Sequence, residues 1–429
     1  MKIPVNLFRL GTTGIIMAFI MMIPMDLSAT TKYYVDINRP DDSGNGTSWA
    51  TAKKHLQSAL HLVSGYGGAD EIEIWVAAGT YNPSYEIDGG YGDYSPDRHA
   101  TFDIPSGVAV YGGFTGSEDE VDLSQRDWAN NVTILSGDID GNDAEGDRSG
   151  NSYHVVSFYS VNQNTVLDGF TITGGNADGD DEASNGGGIF NDFSYANDEI
   201  PDGGVNIRNC IISGNSAANN GGGMYNHTFV DYDDNSEITG HAKLTNCVIS
   251  GNRAGVYGGG IYGYSFMSIG KHYINHSLHL RLINCTITGN SAVQGGGVYH
   301  VWDSDYPSVG GATSTVINCI FWNNHGGDSF VDSDLALNTI RGHEEDFDPN
   351  FLEPIGPENA PTKGGDFHLI EGSPAIDSGT SDGVDLPDLD LDGNPRIQND
   401  IIDMGAFEGG VPPPLYMVDA DSPDGGNGE

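Results

Sequence analysis

Asn209-Cys210-Ile211-Ile212-Ser213-Gly214-Asn215 recurs as Asn246-Cys247-Val248-Ile249-Ser250-Gly251-Asn252 and as Asn284-Cys285-Thr286-Ile287-Thr288-Gly289-Asn290. It fades at Asn318-Cys319-Ile320-Phe321-Trp322-Asn323-Asn324, and an earlier copy, Gly169-Phe170-Thr171-Ile172-Thr173-Gly174, carries Phe in place of Cys. A second block alternates with it: Gly186 to Phe190 (GGGIF), Gly221 to Tyr225 (GGGMY), Gly258 to Tyr262 (GGGIY) and Gly295 to Tyr299 (GGGVY). The Cys blocks step by 37, 38 and 34 residues. A fixed period in this range means a solenoid, a propeller or an array.

The register inside one repeat chooses among them. With Cys at zero, apolar residues stand at −3, 0 and +2: Ile207, Cys210, Ile212; Leu244, Cys247, Ile249; Leu282, Cys285, Ile287; Val316, Cys319, Phe321. A straight strand buries every second residue, so the step from −3 to 0 requires a bend. Asn stands at −1 in all four copies, and Asn tolerates the left-handed conformation of a one-residue bend. Two short strands joined by an Asn bend, then a Gly-flanked strand, describe one coil of a parallel β-helix. Stacking would place Cys on Cys and Asn on Asn about 4.8 Å apart. Propeller blades need four strands per repeat and carry a Trp-Asp signature that is missing here. The expected class is all-β: a right-handed parallel β-helix solenoid over residues 101–345, with an N-terminal capping helix.

Composition agrees. The 429 residues include 62 Gly, and 17 Lys+Arg face 61 Asp+Glu, a formal charge of −44. Gly-rich, Lys-poor chains favour short strands and tight turns over long helices. Aromatics at 10% exclude a disordered acidic tail. The charge excludes a nucleic-acid partner and an anionic membrane surface.

The ends read differently from the middle. Lys2 and Arg9 precede the apolar run Gly14 to Met25, and Ser28-Ala29 offers a small-residue cleavage site, so residues 1–29 read as a signal peptide. No later stretch is apolar enough to span a bilayer. Residues 30–100 form an N-terminal cap. Within it, Leu56, Ala59, Leu60 and Val63 give a helix over 48–64, capped by Ser48 and ended by Gly65. Residues 346–408 read as a C-terminal cap and 409–415 as a Pro/Gly linker. Tyr416 to Glu429 repeats the pattern of Tyr33-Tyr34-Val35-Asp36 to Gly46, as the opening of a further module would.

Several groups could carry chemistry. Asp388, Asp390 and Asp392 before Gly393 match the first half of a calcium loop, although its twelfth position is Asn399, not Glu. Asp138, Asp140 and Asp143 form a weaker cluster. The expected cofactor is a structural Ca²⁺. The four Cys read as a buried thiol ladder, because in-register stacking holds Cβ atoms slightly beyond disulfide reach. Segments after each Gly block carry aromatics among Asp, Ser and His. The candidate ligand-binding residues are Tyr232, Tyr264, Tyr273, His300, Trp302 and Tyr306. Phe193, Tyr195 and Phe266 accompany them. The alternative reading has these rings pack long loops together. Lys243 and Arg281 share the −4 position on adjacent coils; with Arg208 and Arg253 they could line a groove. His272, His276 and His279 cluster as well.

The run from Cys210 to Tyr225, and again from Cys285 to Tyr299, resembles the repeat of polymorphic outer membrane proteins. Tyr34-Val35-Asp36, Ser48-Trp49-Ala50-Thr51-Ala52 and Ile74 to Tyr81 look like the start of bacterial pectin-lyase-like β-helix proteins. Ser373 to Gly379, Asp392 to Arg396 and Ile402 to Glu408 are similar to the choice-of-anchor Q domain. The resemblance implies an exported β-helix protein of the bacterial exterior or outer-membrane surface. The first functional reading is a monomeric, non-catalytic adhesin that binds a polysaccharide or cell-surface glycan. The alternative is a polysaccharide lyase or glycoside hydrolase acting on an acidic polysaccharide, with a Lys or Arg base or a carboxylate pair.

Overall fold

A computed structural model describes residues 30–65, 71–84, 97–193, 202–230, 238–267, 276–304, 311–329, 335–342, 348–382, 384–398 and 400–411. The signal segment 1–29 and Tyr416 to Glu429 lie outside the described residues. Three long sheets run side by side along a parallel β-helix, with nine, eight and six strands. The first sheet includes Asp202–Arg208, Ile238–Thr245, His276–Ile283 and Gly311–Ile317. The second includes Thr171–Thr173, Ile211–Ser213, Val248–Ser250, Thr286–Thr288 and Ile320–Trp322. The third includes Val156–Tyr159, Ile189–Asp192, Met224–Val230, Ile261–Met267 and Val298–Ser304.

The expected register holds. Ile207 pairs with Leu244, Leu244 with Leu282 and Leu282 with Val316. All four are buried, as are Ile212, Ile249, Ile287 and Phe321 across the bend. Asn209, Asn246, Asn284 and Asn318 adopt φ of +50°, +54°, +50° and +53°. Gly169 holds the same bend in the Phe170 copy. Asn338, at φ +42°, makes a further one before Thr339, where Thr replaces the Cys that marks the repeat.

Cys210, Cys247, Cys285 and Cys319 are free and fully buried in one column. Burial pushes the Cys210 thiol up to about 12. A soluble disulfide reagent should therefore label no cysteine in the native protein and all four after denaturation. Rapid native labelling of any of them would break the column.

A second polar column stiffens the interior. Asn215, Asn252, Asn290 and Asn324 are buried, and each side-chain amide donates to the next Asn Oδ1 at 3.0–3.1 Å. The third glycine of each block makes room beside it. A Cβ on Gly260 would sit 2.5 Å from the Gly297 carbonyl oxygen. The triplets therefore pack coil against coil.

At the N-terminus Leu56–Val63 is helical, and Leu56, Ala59, Leu60 and Val63 face the core as expected. The segment before it is not continuous helix. Ser48 caps a separate 3₁₀ turn, Trp49–Thr51, and Lys53 then bridges to Val35. The Asp42 carboxylate supplies the helix start, accepting from the Lys54 and His55 amides at 2.7 and 3.0 Å.

The described residues of 348–411 follow the solenoid's last coils. They fold back along its flank over the second sheet. Phe351, Phe367, Leu369, Leu391, Ala406 and Phe407 join Val248, Ile320 and Trp322 in one apolar cluster. The bend asparagines form the seam. Asn284 Nδ2 donates to the Asp403 carbonyl at 3.3 Å, Asn318 Nδ2 to Thr380 at 2.9 Å and Asn338 Nδ2 to Ser378 at 3.0 Å.

Candidate functional site

The outer face of the third sheet carries the most continuous arrangement of functional side chains. The first glycine of each block turns the chain at positive φ: Gly186, Gly221, Gly258 and Gly295 lie between +63° and +68°. The strand that follows alternates. Met224 and Ile261 face the core, so Tyr225 and Tyr262 face out, in register. Phe190, Tyr225, Tyr262 and Tyr299 thus form one column, with ring centroids 5.3, 5.3 and 6.0 Å apart and planes within 12° of parallel. Tyr257 stacks on Tyr299 at 4.5 Å. Two residues on, Asp192, His227 and Tyr264 form a parallel column. His227 lies between Tyr225 and Tyr264, at 5.5 and 5.8 Å. Burial raises the Tyr225 and Tyr262 phenols beyond their ordinary range, keeping them neutral. Rings stacked on one another turn edges and hydroxyls, not faces, toward a ligand.

The column runs into a recess of about 760 Å³ lined by His99, Asp103, His154, Tyr159 and the turn Asp180 to Glu182. Phe190 touches both His154 and Tyr159, at 4.7 and 5.8 Å. Burial raises the Asp103 carboxyl and lowers His154 to about 4, so the imidazole stays neutral. Its Nδ1 lies 3.0 Å from the Gly186 carbonyl. The recess offers oxygen acceptors for hydroxyl groups.

The first sheet presents a second surface. Lys243 pairs with Arg281, and Arg208 lies one coil earlier. Lys243 Nζ is 3.5 Å from Asp385. Burial, with Arg281 and Arg208 beside it, lowers the Lys243 pKa against the opposing pull of Asp385. His241 stacks on His279 at 4.9 Å. Arg253 is elsewhere: it pairs with Ser216 and Ser291 on a separate three-stranded sheet.

The segments read as insertions begin as strands of the third sheet, which redirects their residues. Tyr264 lies on the outer columns. His300 is turned inward by alternation and fully buried, with Nδ1 2.6 Å from Ser314 Oγ. It cannot meet a ligand on the outer face. Trp302 pairs with the inward Ser265 and is half-buried. Tyr232, Tyr273 and Tyr306 lie outside the described residues. Phe190, Tyr225, Tyr262 and Tyr299 were visible only as a repeat mark. An aromatic recurring at one register position was the available signal for the column.

In the aspartate loop, Asp390 and Asp392 are engaged within the flank. Asp390 is fully buried, and its oxygens accept from the Asp392, Asn394 and Glu408 amides at 3.0, 2.7 and 2.8 Å. Asp392 Oδ2 binds His368 Nε2 at 2.6 Å. The alternating aspartates form an Asx-turn that anchors the flank. Asp138 likewise accepts from the Asn142 and Asp143 amides. Among the described residues no three His, Cys, Asp or Glu side chains converge as a metal site.

His368 gives the flank a pH dependence. Asp392, then Asp366 at 2.5 Å, raise its pKa to about 9 against the cost of burial. The folded value exceeds the unfolded one, so this stabilisation is complete below about pH 6.5 and lost as pH rises through 9. Both carboxylates are about one-third exposed, so solvent screening reduces the effect to about 1–2 kcal/mol. Melts between pH 6 and 10 should show this loss, and His368→Gln should flatten it.

No family model matches the chain, and no curated protein matches it. Solved structures to which the chain is similar include the following. Pectate lyase Pel9A is 13% identical, covering 89% of this chain and 96% of its own, with a TM-score of 0.29. A pectin methylesterase from Aspergillus niger is 10% identical over 77% of this chain and 88% of its own, at 0.27. A rhamnogalacturonan lyase is 12% identical over 80% and 97%, at 0.25. No helix among the described residues is long and apolar enough to cross a membrane.

Proposed function

We propose that this is an exported protein of the bacterial exterior or outer-membrane surface that binds a glycan along the outer face of its third sheet. The column Phe190–Tyr225–Tyr262–Tyr299, in which Tyr225 and Tyr299 keep part of their surface exposed while Phe190 and Tyr262 are buried, carries the reading together with the Asp103 recess. It repeats once per coil, as an extended polysaccharide repeats once per sugar. Its hydroxyls, and the carboxylates and imidazoles beside them, match ring hydroxyls. The binding role needs no catalytic step. Affinity electrophoresis through gels of neutral and acidic polysaccharides tests it. Retardation by at least one polymer is expected, with Tyr264→Ser weakening it about tenfold, or about 1.4 kcal/mol. Equal mobility in every gel, or equal retardation of parent and variant, sinks the reading.

A second reading rests on the first sheet. Lys243, held below its ordinary pKa beside Arg281 and Arg208, has the character of a base that removes the proton next to a uronate carboxylate. A lyase acting there would release unsaturated uronates from polygalacturonate or alginate, read by ultraviolet absorbance. Lys243→Met would abolish that release. An absence of unsaturated product from both polymers removes this reading.

A further inference from the structure

A cleft of about 510 Å³ lies between the flank segment and the outer face of the second sheet. It shares no lining residue with the third-sheet recess or the Lys243 surface. Its body is apolar: Trp128 on the solenoid side and Phe367 and Phe407 of the flank line it, with His368 packed 4.1 Å from the Phe407 ring. Trp128 is fixed there by Nε1 donating to the Leu391 carbonyl at 2.7 Å. One end is acidic. Asp366 and Asp392 grip His368 at 2.5 and 2.6 Å, yet each stays about one-third exposed, with lone pairs to spare. Among the described lining residues the one Lys, Lys363, is paired with Asp143 at 2.9 Å. The floor carries the hydroxyls of Thr173, Ser213 and Ser250 from three successive coils.

Thr173 marks the cleft as more than a gap in packing. Its neighbour Ile172 points into the core, so Thr173 points out beneath the flank. It is 5% exposed, and its hydroxyl has no hydrogen-bond partner. A buried hydroxyl left unpaired costs about 1–3 kcal/mol. A ligand that donates to it or accepts from it would recover that cost.

We propose that this cleft binds the end of a neutral saccharide, one or two rings long. Aromatic walls suit the apolar faces of a sugar ring, and carboxylates and hydroxyls suit its edge. Two carboxylates with one imidazolium leave net negative charge, and no free cation in the lining offsets it. A uronate or sulfated sugar would therefore be repelled. The cleft's volume of about 510 Å³ suits one or two rings, whereas the third-sheet column continues over four coils. The two sites stand independently.

Isothermal titration of the whole protein with cellobiose, lactose, methyl galactoside and galacturonate tests this. At least one neutral sugar should bind saturably with one site per chain. Galacturonate should bind at least tenfold more weakly than methyl galactoside. Thr173→Val should weaken binding severalfold while leaving the melting temperature equal or higher, because it removes an unpaired buried polar group. A merely structural role would not give those opposite signs. Asp366→Asn should weaken binding about tenfold, and Tyr264→Ser should leave it unchanged, which separates this cleft from the column. No saturable binding of any neutral sugar at millimolar concentration overturns the proposal. Tighter binding of galacturonate, or affinity unaltered by both cleft variants, overturns it equally.

Discussion

Arg396→Ala should loosen the flank from the solenoid at a cost of about 3–5 kcal/mol, the range for breaking a buried ion pair from one side. Arg396 is fully buried. It donates to Glu408 Oε1 and the Ala406 carbonyl at 2.8 Å, to the Gly405 carbonyl at 3.2 Å and to Asn246 Oδ1 at 2.5 Å. The last bond crosses from flank to solenoid. Burial already pushes the Glu408 carboxyl up to about 7 despite the guanidinium. Without Arg396, Glu408 and the buried Asp390 keep their desolvation cost and lose their counter-charge. A long solenoid need not unfold in one step, so hydrogen exchange resolved along the chain is the suitable measurement. Protection should fall in 348–411 and persist in 165–320. Arg396→Met with Glu408→Leu together should recover much of the loss, since removing both partners leaves no orphan charge. Unchanged protection of 348–411 in the single variant would show that the apolar cluster alone holds the flank.

The second large effect is expected inside the tube. Asn252 accepts from the Asn215 backbone and side-chain amides, both at 3.1 Å. It donates to the Ile212 carbonyl and to Asn290 Oδ1, at 2.8 and 3.0 Å. Asn252→Leu keeps the branched skeleton, with bulkier methyl groups, and removes every one of these bonds. At about 1–3 kcal/mol for each stranded group, the total is about 3 kcal/mol or more. The damage should spread to the neighbouring coils, because Asn215 and Asn290 both lose a partner. By contrast, Asn284→Gly keeps a bend that glycine adopts freely, loses the 3.3 Å bond to the Asp403 carbonyl, and should cost less than the four bonds of Asn252. Denaturant unfolding of the two variants decides the matter, and equal losses would contradict the ladder's assigned role.

The coil was legible because it repeats. An apolar position at −3, 0 and +2 can be satisfied only by a bend at −1, and Asn209 through Asn318 supply it. The sequence pattern faltered where a coil kept the bend but changed the mark, as at Asn338-Thr339. The placement of the flank was illegible for a different reason. Trp128 and Leu391 are 263 residues apart and belong to no periodic pattern. Asp388, Asp390 and Asp392 were ambiguous because an Asx-turn and a calcium loop share the same alternation of carboxylates. Only the direction of each oxygen separates them. His300 misled because a segment read as loop continues as strand, and alternation then turns every second side chain inward.

The bend seam has a consequence for length. Each internal coil presents its neighbours with the same partners, so the tube alone places no limit on coil number. The flank does. It holds Trp128 through Leu391, Asn246 through Arg396, Asn284 through Asp403, Asn318 through Thr380 and Asn338 through Ser378. These are fixed marks along an inextensible strap. Deleting or duplicating one repeat between Trp128 and Asn338 would leave every coil well stacked and shift the marks by one coil spacing, about 4.8 Å. Residues 348–411 thus act as a ruler that admits one coil count, so a change in repeat number would have to be matched by a change in the strap.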